Sequence, residues 1–194
     1  MTGDAGRRGV LDGRRRVVRW TDAAGRGLEH LVLDVGAAGS VAESVVIGDD
    51  EGEAFALRYR IACDAAWRVR ALEIAVVGGG RLALTSDRAG RWTDEGGRRR
   101  PELDGAIDVD ISVTPFTNTL PIRRCGLPPG AARDIEVAYV RAPALRLTRE
   151  AQRYTRLDAT RYRFESRDGD FVRDISVDAD GLVIDYPGLF RRAA

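Results

Sequence analysis

Apolar and polar positions alternate along most of the chain. Leu31, Leu33 and Val35 alternate with Val32 and Asp34, and Leu57, Tyr59 and Ile61 alternate with Arg58 and Arg60. Ile107, Val109, Ile111 and Val113 alternate with Asp108, Asp110 and Ser112, and Ile135, Val137 and Tyr139 with Glu136 and Ala138. Tyr162 and Phe164 stand between Arg161, Arg163 and Glu165; Ile175 and Val177 follow, then Leu182, Ile184 and Tyr186. Successive side chains on a strand point to opposite faces, so these runs predict strands with one apolar and one polar face. That is the pattern of antiparallel sheet packed on one side and wet on the other. Within residues 67–76 the apolar phase shifts, from Trp67 and Val69 to Leu72, Ile74 and Val76, which predicts a bulge.

The separators are those of hairpins. Gly78-Gly79-Gly80, Arg88-Ala89-Gly90, Arg167-Asp168-Gly169 and Asp178-Ala179-Asp180-Gly181 supply positions for positive φ. No segment carries a long period of 3.6. The helix candidates are short, residues 64–67 and residues 148–154 with Thr148 as a cap, and a loop turn is the alternative for each. Residues 67–92 and 152–171 echo one another: aromatic and arginines, a strand, a glycine turn, a closing aromatic. An internal duplication and two similarly spaced turns of one meander both account for this. The expected fold is all-β: a strongly curved antiparallel sheet forming a β-roll or incomplete barrel, with few short helices. Residues 1–15, rich in Gly, Arg and Asp, are expected to be a flexible N-terminus before a single domain over residues 16–194.

Composition narrows the function classes. A chain of 194 residues, 44% apolar, can bury a core without a metal or a disulfide. Its 31 basic and 30 acidic residues leave a formal charge of +1, which argues against a nucleic-acid partner and a polybasic membrane surface. Every basic side chain except His30 is arginine, so lysine Schiff-base and P-loop chemistry are excluded. There is no apolar h-region, no run long enough for a transmembrane segment and no lipidation pattern, and Cys63 and Cys125 read as reduced thiols, so the expected compartment is cytoplasmic.

Candidate chemistry is sparse. Asp108 and Asp110, two apart on a strand, face one way, as a general acid and base or a cation site would require. Cross-strand pairing with arginines is the simpler reading. His30 has Glu29 beside it, but strand neighbours face opposite sides, and no His/Cys cluster with ligand spacing suggests zinc. A nucleophilic Cys63 or Cys125 would have only His30 as an imidazole base. Gly78-Gly79-Gly80 lacks the Lys and Ser/Thr of a phosphate loop, and Asp178-Ala179-Asp180-Gly181 lacks most of a calcium loop. No cofactor is expected. Residues 103–124, LDGAIDVDISVTPFTNTLPIRR, are the most unusual stretch. Pro115 and Pro121 bar it from a central strand, and its threonines and Asn118 can bond nearby backbone, so it predicts a stiff loop or kinked edge.

With GLEHL at 27–31, IACD at 61–64, WRVR at 67–70, GRW at 90–92, TPFTNTLPIRR at 114–124, QRY at 152–154 and DYPGL at 185–189, the chain resembles the family of bacterial proteins described as putative glycolipid-binding. The resemblance spans roughly residues 17–191. It departs from the expected pattern at Ala106, where Cys is common, and at Cys125, where Leu is common; both read as packing changes. The resemblance implies a roll or incomplete barrel like that of the lipoprotein carriers LolA and LppX, and carries over no catalytic residue. The glycolipid label rests on fold alone.

Aromatic faces with Arg and Asn donors suit an acyl chain and its headgroup. On that chemistry the ligand-binding candidates are Trp67, Arg70, Asp108, Asp110, Thr117, Asn118, Arg123, Arg124, Tyr139, Tyr154 and Tyr186. The favoured function is a non-catalytic binder or carrier of a lipid or glycolipid on the concave face of the sheet. Two other classes stand beside it: a hydrolase-like enzyme using Asp108, Asp110 and the loop at 114–124, and a module whose apolar face seals a homodimer. A curled sheet either fills its concavity with its own side chains or leaves room for a ligand, and a completely filled centre would remove the carrier reading.

Overall fold

The computed structural model of the protein describes residues 13–193. These form one sheet of fourteen strands. The first seven are β1 (Arg14–Asp22), β2 (Leu28–Gly36), β3 (Gly39–Asp50), β4 (Glu53–Asp64), β5 (Val69–Val76), β6 (Arg81–Ser86) and β7 (Trp92–Asp94). After them come β8 (Asp108–Ile111), the helix α1 (Thr119–Cys125), β9 (Ala132–Arg141), β10 (Arg146–Arg156), β11 (Arg161–Ser166), β12 (Val172–Val177), β13 (Val183–Tyr186) and β14 (Phe190–Arg192). Spatially, β7 to β1 run in reverse order, β1 pairs with β14, and β14 to β8 complete the sheet. The sheet is curved and is not closed into a barrel; among the described residues no helix is long and apolar enough to cross a membrane.

The alternation maps onto burial. In β2, Leu31 and Leu33 are buried while His30 is exposed, and in β4 Leu57, Tyr59, Ile61 and Cys63 line the same inner face. The outer face carries exposed cross-strand ion pairs such as Arg15–Asp34 and Arg163–Asp174, which solvent screens. The phase shift near residue 70 is a bulge: Ala62 faces Ala71 but Cys63 faces Val69, which leaves Arg70 as the extra residue.

Three expectations differ from the structure. Every neighbouring strand pair is antiparallel except β8–β9, which is parallel. The connection from β8 to β9 is a helical crossover and not a hairpin, and that lets the strands run the same way. Residues 114–122 are neither loop nor edge. A 3₁₀ turn (Phe116–Asn118) leads into α1, and every residue from 114 to 122 is buried. Pro121 falls in the first turn of α1, where its missing N–H costs nothing. Gly126 closes α1 in the left-handed conformation, its N–H reaching the Ile122 carbonyl. The helix candidate at 148–154 lies within β10, paired on both sides, so sheet contacts override its helix-forming Glu, Ala, Gln and Arg. At residues 64–67 the loop turn, the alternative to a helix there, is what forms, tied by the Asp64 carboxylate to the N–H groups of Ala66 and Arg68. Of the N-terminal expectation, residues 1–12 lie outside the described residues, and Arg14 and Arg15 already pair in β1. The two echoing segments stand at different ranks in the sheet, β5–β6 next to the β7 edge and β10–β11 behind β8 and β9, an arrangement that suits the meander reading.

Two apolar clusters fill the inner face. The larger gathers β1 to β7 around Phe116, Leu120, Val109 and Ile111, and the smaller gathers β9 to β13 around Ile122. Indole N–H groups tie distant parts together: Trp20 donates to the Val183 carbonyl at 2.8 Å and Trp92 to the Ala106 carbonyl at 2.7 Å. At Gly90, with φ 90°, a Cβ would stand 3.0 Å from the Gly105 backbone, so glycine is required where the chain beside β7 meets the chain entering β8.

Candidate functional site

Most of the side chains singled out from the sequence converge on the buried segment 114–124 and are bound by one another. The Arg124 guanidinium grips the Asp108 carboxylate through Nε at 2.9 and 3.1 Å and Nη2 at 2.5 Å. Burial pushes the Asp108 carboxyl up, against the pull of Arg124. Asp110 accepts from the Thr117 hydroxyl at 2.8 Å and the Gln152 amide at 2.7 Å; burial pushes it up as well. Tyr154 donates to Asn118 Oδ1 at 2.9 Å, and Asn118 Nδ2 donates to the Pro115 carbonyl at 3.2 Å.

Arg123 lies over the Trp67 ring, 5.0 Å from its centroid, a cation–π contact. Trp67 holds a left-handed backbone with φ 62°, strain of roughly 1–2 kcal/mol that its buried indole offsets. Tyr186 packs among Phe164, Phe171 and Phe190 at centroid separations of 6.3 to 6.4 Å. Arg70 stands apart, exposed at the bulge on the outer side. Only Tyr139 of the set reaches the cavity described next.

That cavity, about 430 Å³, opens at one end of the curved sheet, between its two halves. Roughly 300–1,000 Å³ is the usual range for small-molecule sites. Trp20, Val46, Phe55 and Val113 give it apolar walls on one side, with Tyr139 and Phe190 across from them. Asp22, Arg26, Asp49, Asp50 and Arg141 bring charge to the mouth. Arg141, at the end of β9, reaches Glu51 at 3.0 Å in the turn joining β3 and β4, so an exposed ion pair bridges the two halves.

Glu29, noted in the sequence only as the neighbour of His30, also lines this cavity. It is 3% exposed and faces inward from β2. Its Oε1 accepts from the Ser44 hydroxyl of β3 at 2.7 Å and from the Tyr59 hydroxyl of β4 at 2.5 Å. The Thr114 hydroxyl lies 3.2 Å from the Tyr59 oxygen. Among the described residues Oε2 makes no direct hydrogen bond, and it is sealed from solvent. Burial pushes the carboxyl from its ordinary 4.5 up to about 7, against the hydroxyls of Thr114, Tyr59 and Ser44, which favour the charged form. One signal could have found it: continuing the phase of Leu33 and Leu31 back two residues puts Glu29 on the apolar face.

The thiols and the imidazole sit elsewhere. Cys63 and Cys125 are free; Cys63 is buried, and desolvation drives its thiol up to about 12, far from a thiolate nucleophile. His30 faces outward, where its Nδ1 accepts from Arg19 Nε at 3.3 Å. Asp178 closes the turn between β12 and β13 by accepting the N–H groups of Asp180 and Leu182. Among the described residues no group of three or more His, Cys, Asp or Glu is placed to hold a metal ion.

The family described as "Putative glycolipid-binding" matches residues 17–192. The chain belongs to that family. A crystal structure of a DUF1089 family protein from Pseudomonas aeruginosa, solved at 1.80 Å, superposes with a TM-score of 0.79 at 41% identity, covering 87% of this chain and 92% of that one. Comparison with curated proteins finds no match.

Proposed function

We propose that this member of the family is a non-catalytic binder of an amphipathic molecule, a lipid or glycolipid, and that the ligand enters the cavity between the two halves of the sheet. The cavity itself carries the reading. It has aromatic and aliphatic walls and a charged mouth, the composition expected of a site for a molecule with an apolar body and a polar end. Residues 114–122 are buried, with Phe116 and Leu120 in the larger apolar cluster, and the cavity begins beside them at Val113. An acyl chain would lie against Trp20, Phe55 and Val113. The partners of Asp108 and Asp110 favour binding over hydrolysis: both carboxylates are engaged by Arg124, Thr117 and Gln152, and neither borders this cavity.

Native mass spectrometry of the protein purified from a lipid-containing host tests the proposal. Adducts of lipid mass are expected on the wild type and not on Val113→Trp, whose indole would occupy the cavity, with the melting temperature of the variant as control. A wild-type spectrum free of adducts, together with no saturable uptake of added monoacylglycerol, would reject it.

A further inference from the structure

Arg70, the extra residue of the bulge between β4 and β5, belongs neither to the cavity nor to the buried segment. It borders a second depression, about 580 Å³, on the outer side of the sheet across β3 to β6. Small side chains make the floor: Val41, Ala62, Ala71 and Thr85 stand opposite one another in register across the four strands. They alternate with buried neighbours such as Cys63 and Leu84, so they point outward. Arg60, Arg70 and Arg88 stand around this floor. The side chains that line it include no carboxylate, whereas three aspartates stand at the mouth of the cavity between the halves of the sheet.

Local backbone places two of the three arginines. The bulge takes Arg70 out of the alternation, because Ala62 faces Ala71 while Cys63 faces Val69. Arg88 holds φ 69°, a conformation more usual for Gly, Asn or Asp. Its N–H donates to Ser86 Oγ at 3.0 Å, so the Ser86 hydroxyl, which also lines the depression, keeps its own proton for another acceptor. The carboxylates close by in sequence are engaged elsewhere. Asp87 accepts the N–H groups of Ala89 at 2.8 Å and Arg91 at 3.0 Å, and Asp64 accepts from Arg68 Nε at 2.9 Å. Among the described residues Arg60 meets Glu43 at 3.5 Å, and neither Arg70 nor Arg88 enters an ion pair.

We propose that this depression is a binding site for a phosphate monoester, held by Arg60, Arg70 and Arg88 with the Ser86 hydroxyl.

The number of donors selects the anion. One guanidinium fork satisfies both oxygens of a carboxylate. A phosphate monoester offers three terminal oxygens and close to two negative charges, so it can take donors from three arginines at once. The floor has no aromatic ring on which a base could stack, and the volume suits a small ester or a single lipid headgroup. The site lies on the opposite face of the sheet from the apolar clusters, and its occupancy is independent of the binder reading above.

The test is calorimetric titration of the full chain at low salt with sn-glycerol 3-phosphate and with glycerate, a body of the same length carrying a carboxylate. The expected result is saturable binding of the phosphate at least tenfold tighter than glycerate, weakening as sodium chloride is raised. Arg70→Gln and Arg88→Asn, the latter chosen because asparagine accepts the left-handed backbone, should each bind about tenfold more weakly with the melting temperature of wild type. Arg133→Gln, on β9 and outside the depression, should bind as wild type does. Cosedimentation with phosphatidylcholine vesicles, with and without phosphatidic acid, separates the two sources of the ester. Retention that requires phosphatidic acid and is lost in Arg70→Gln supports the site with a lipid headgroup as its ligand; binding of the soluble ester without retention supports it with a free phosphate ester. Failure of both glycerol phosphate and phosphatidic acid vesicles to bind, glycerate binding as tightly as the phosphate, or unchanged affinity in both arginine variants overturns the proposal.

Discussion

Arg124 and Asp108, sixteen positions apart in the chain, meet in a forked ion pair in which the Asp108 side chain has no solvent exposure and that of Arg124 only 16%. The pair pins α1 to the edge strand β8 and so fixes the buried segment between them.

Removing one partner leaves a buried charge unmatched. Arg124→Leu is expected to cost about 3–5 kcal/mol in urea unfolding, and adding Asp108→Leu should restore most of it, since an apolar pair of similar volume often replaces a buried ion pair at little cost. A double variant no more stable than the single one would show that the pair is not the principal tie.

Asn118 depends on Tyr154 in the same way. Tyr154→Phe removes the hydroxyl that donates to Asn118 Oδ1, leaving a buried acceptor unpaired, and should cost about 1–3 kcal/mol. A change below about 0.5 kcal/mol at the denaturation midpoint would contradict this account.

The segment at 114–122 acts as core. Leu120, with no solvent exposure, packs in the larger apolar cluster, so Leu120→Ala should destabilise by about 2–5 kcal/mol. If residues 114–122 were a surface loop, chemical denaturation would show almost no change.

Glu29 makes stability depend on pH with a defined sign. Its carboxyl is raised from 4.5 to about 7, so the folded state holds the proton more tightly than the unfolded chain does. The stabilisation is complete below the unfolded value and is lost as pH rises through about 7, by about 3 kcal/mol in all. Glu29→Gln cannot titrate, so its stability relative to wild type should climb by that amount between pH 4.5 and 8. Parallel curves for the two proteins would mean that Glu29 titrates normally.

How much of this is legible in the sequence depends on the range of the interaction. Period-2 alternation is a local consequence of the strand backbone, so the strands from Leu31 to Tyr186, their turns and the bulge at Arg70 can all be read along the chain. The same phase marks Glu29 as inward-facing. TPFTNTLPI misleads because seven helical residues are too few to show a period, and because threonine and proline speak against a helix when burial on all sides is not in view. Asp108, Thr117, Asn118 and Arg124 gather around the buried segment 114–124, yet alternation does not say whether polar groups so gathered face a ligand or one another.

By itself, then, the order of residues determined a curled all-β sheet and its membership of a family, but not which face of each strand looks inward. Tertiary structure decided that the signature string is core, that Arg124 belongs to Asp108, and that a cavity with Glu29 on its wall remains at one end. Those outcomes depend on which distant segments meet. Pairing β1 with β14 brings Trp20 and Phe190 to one cavity, though some 170 residues separate their strands in sequence. No local pattern encodes an encounter of that span.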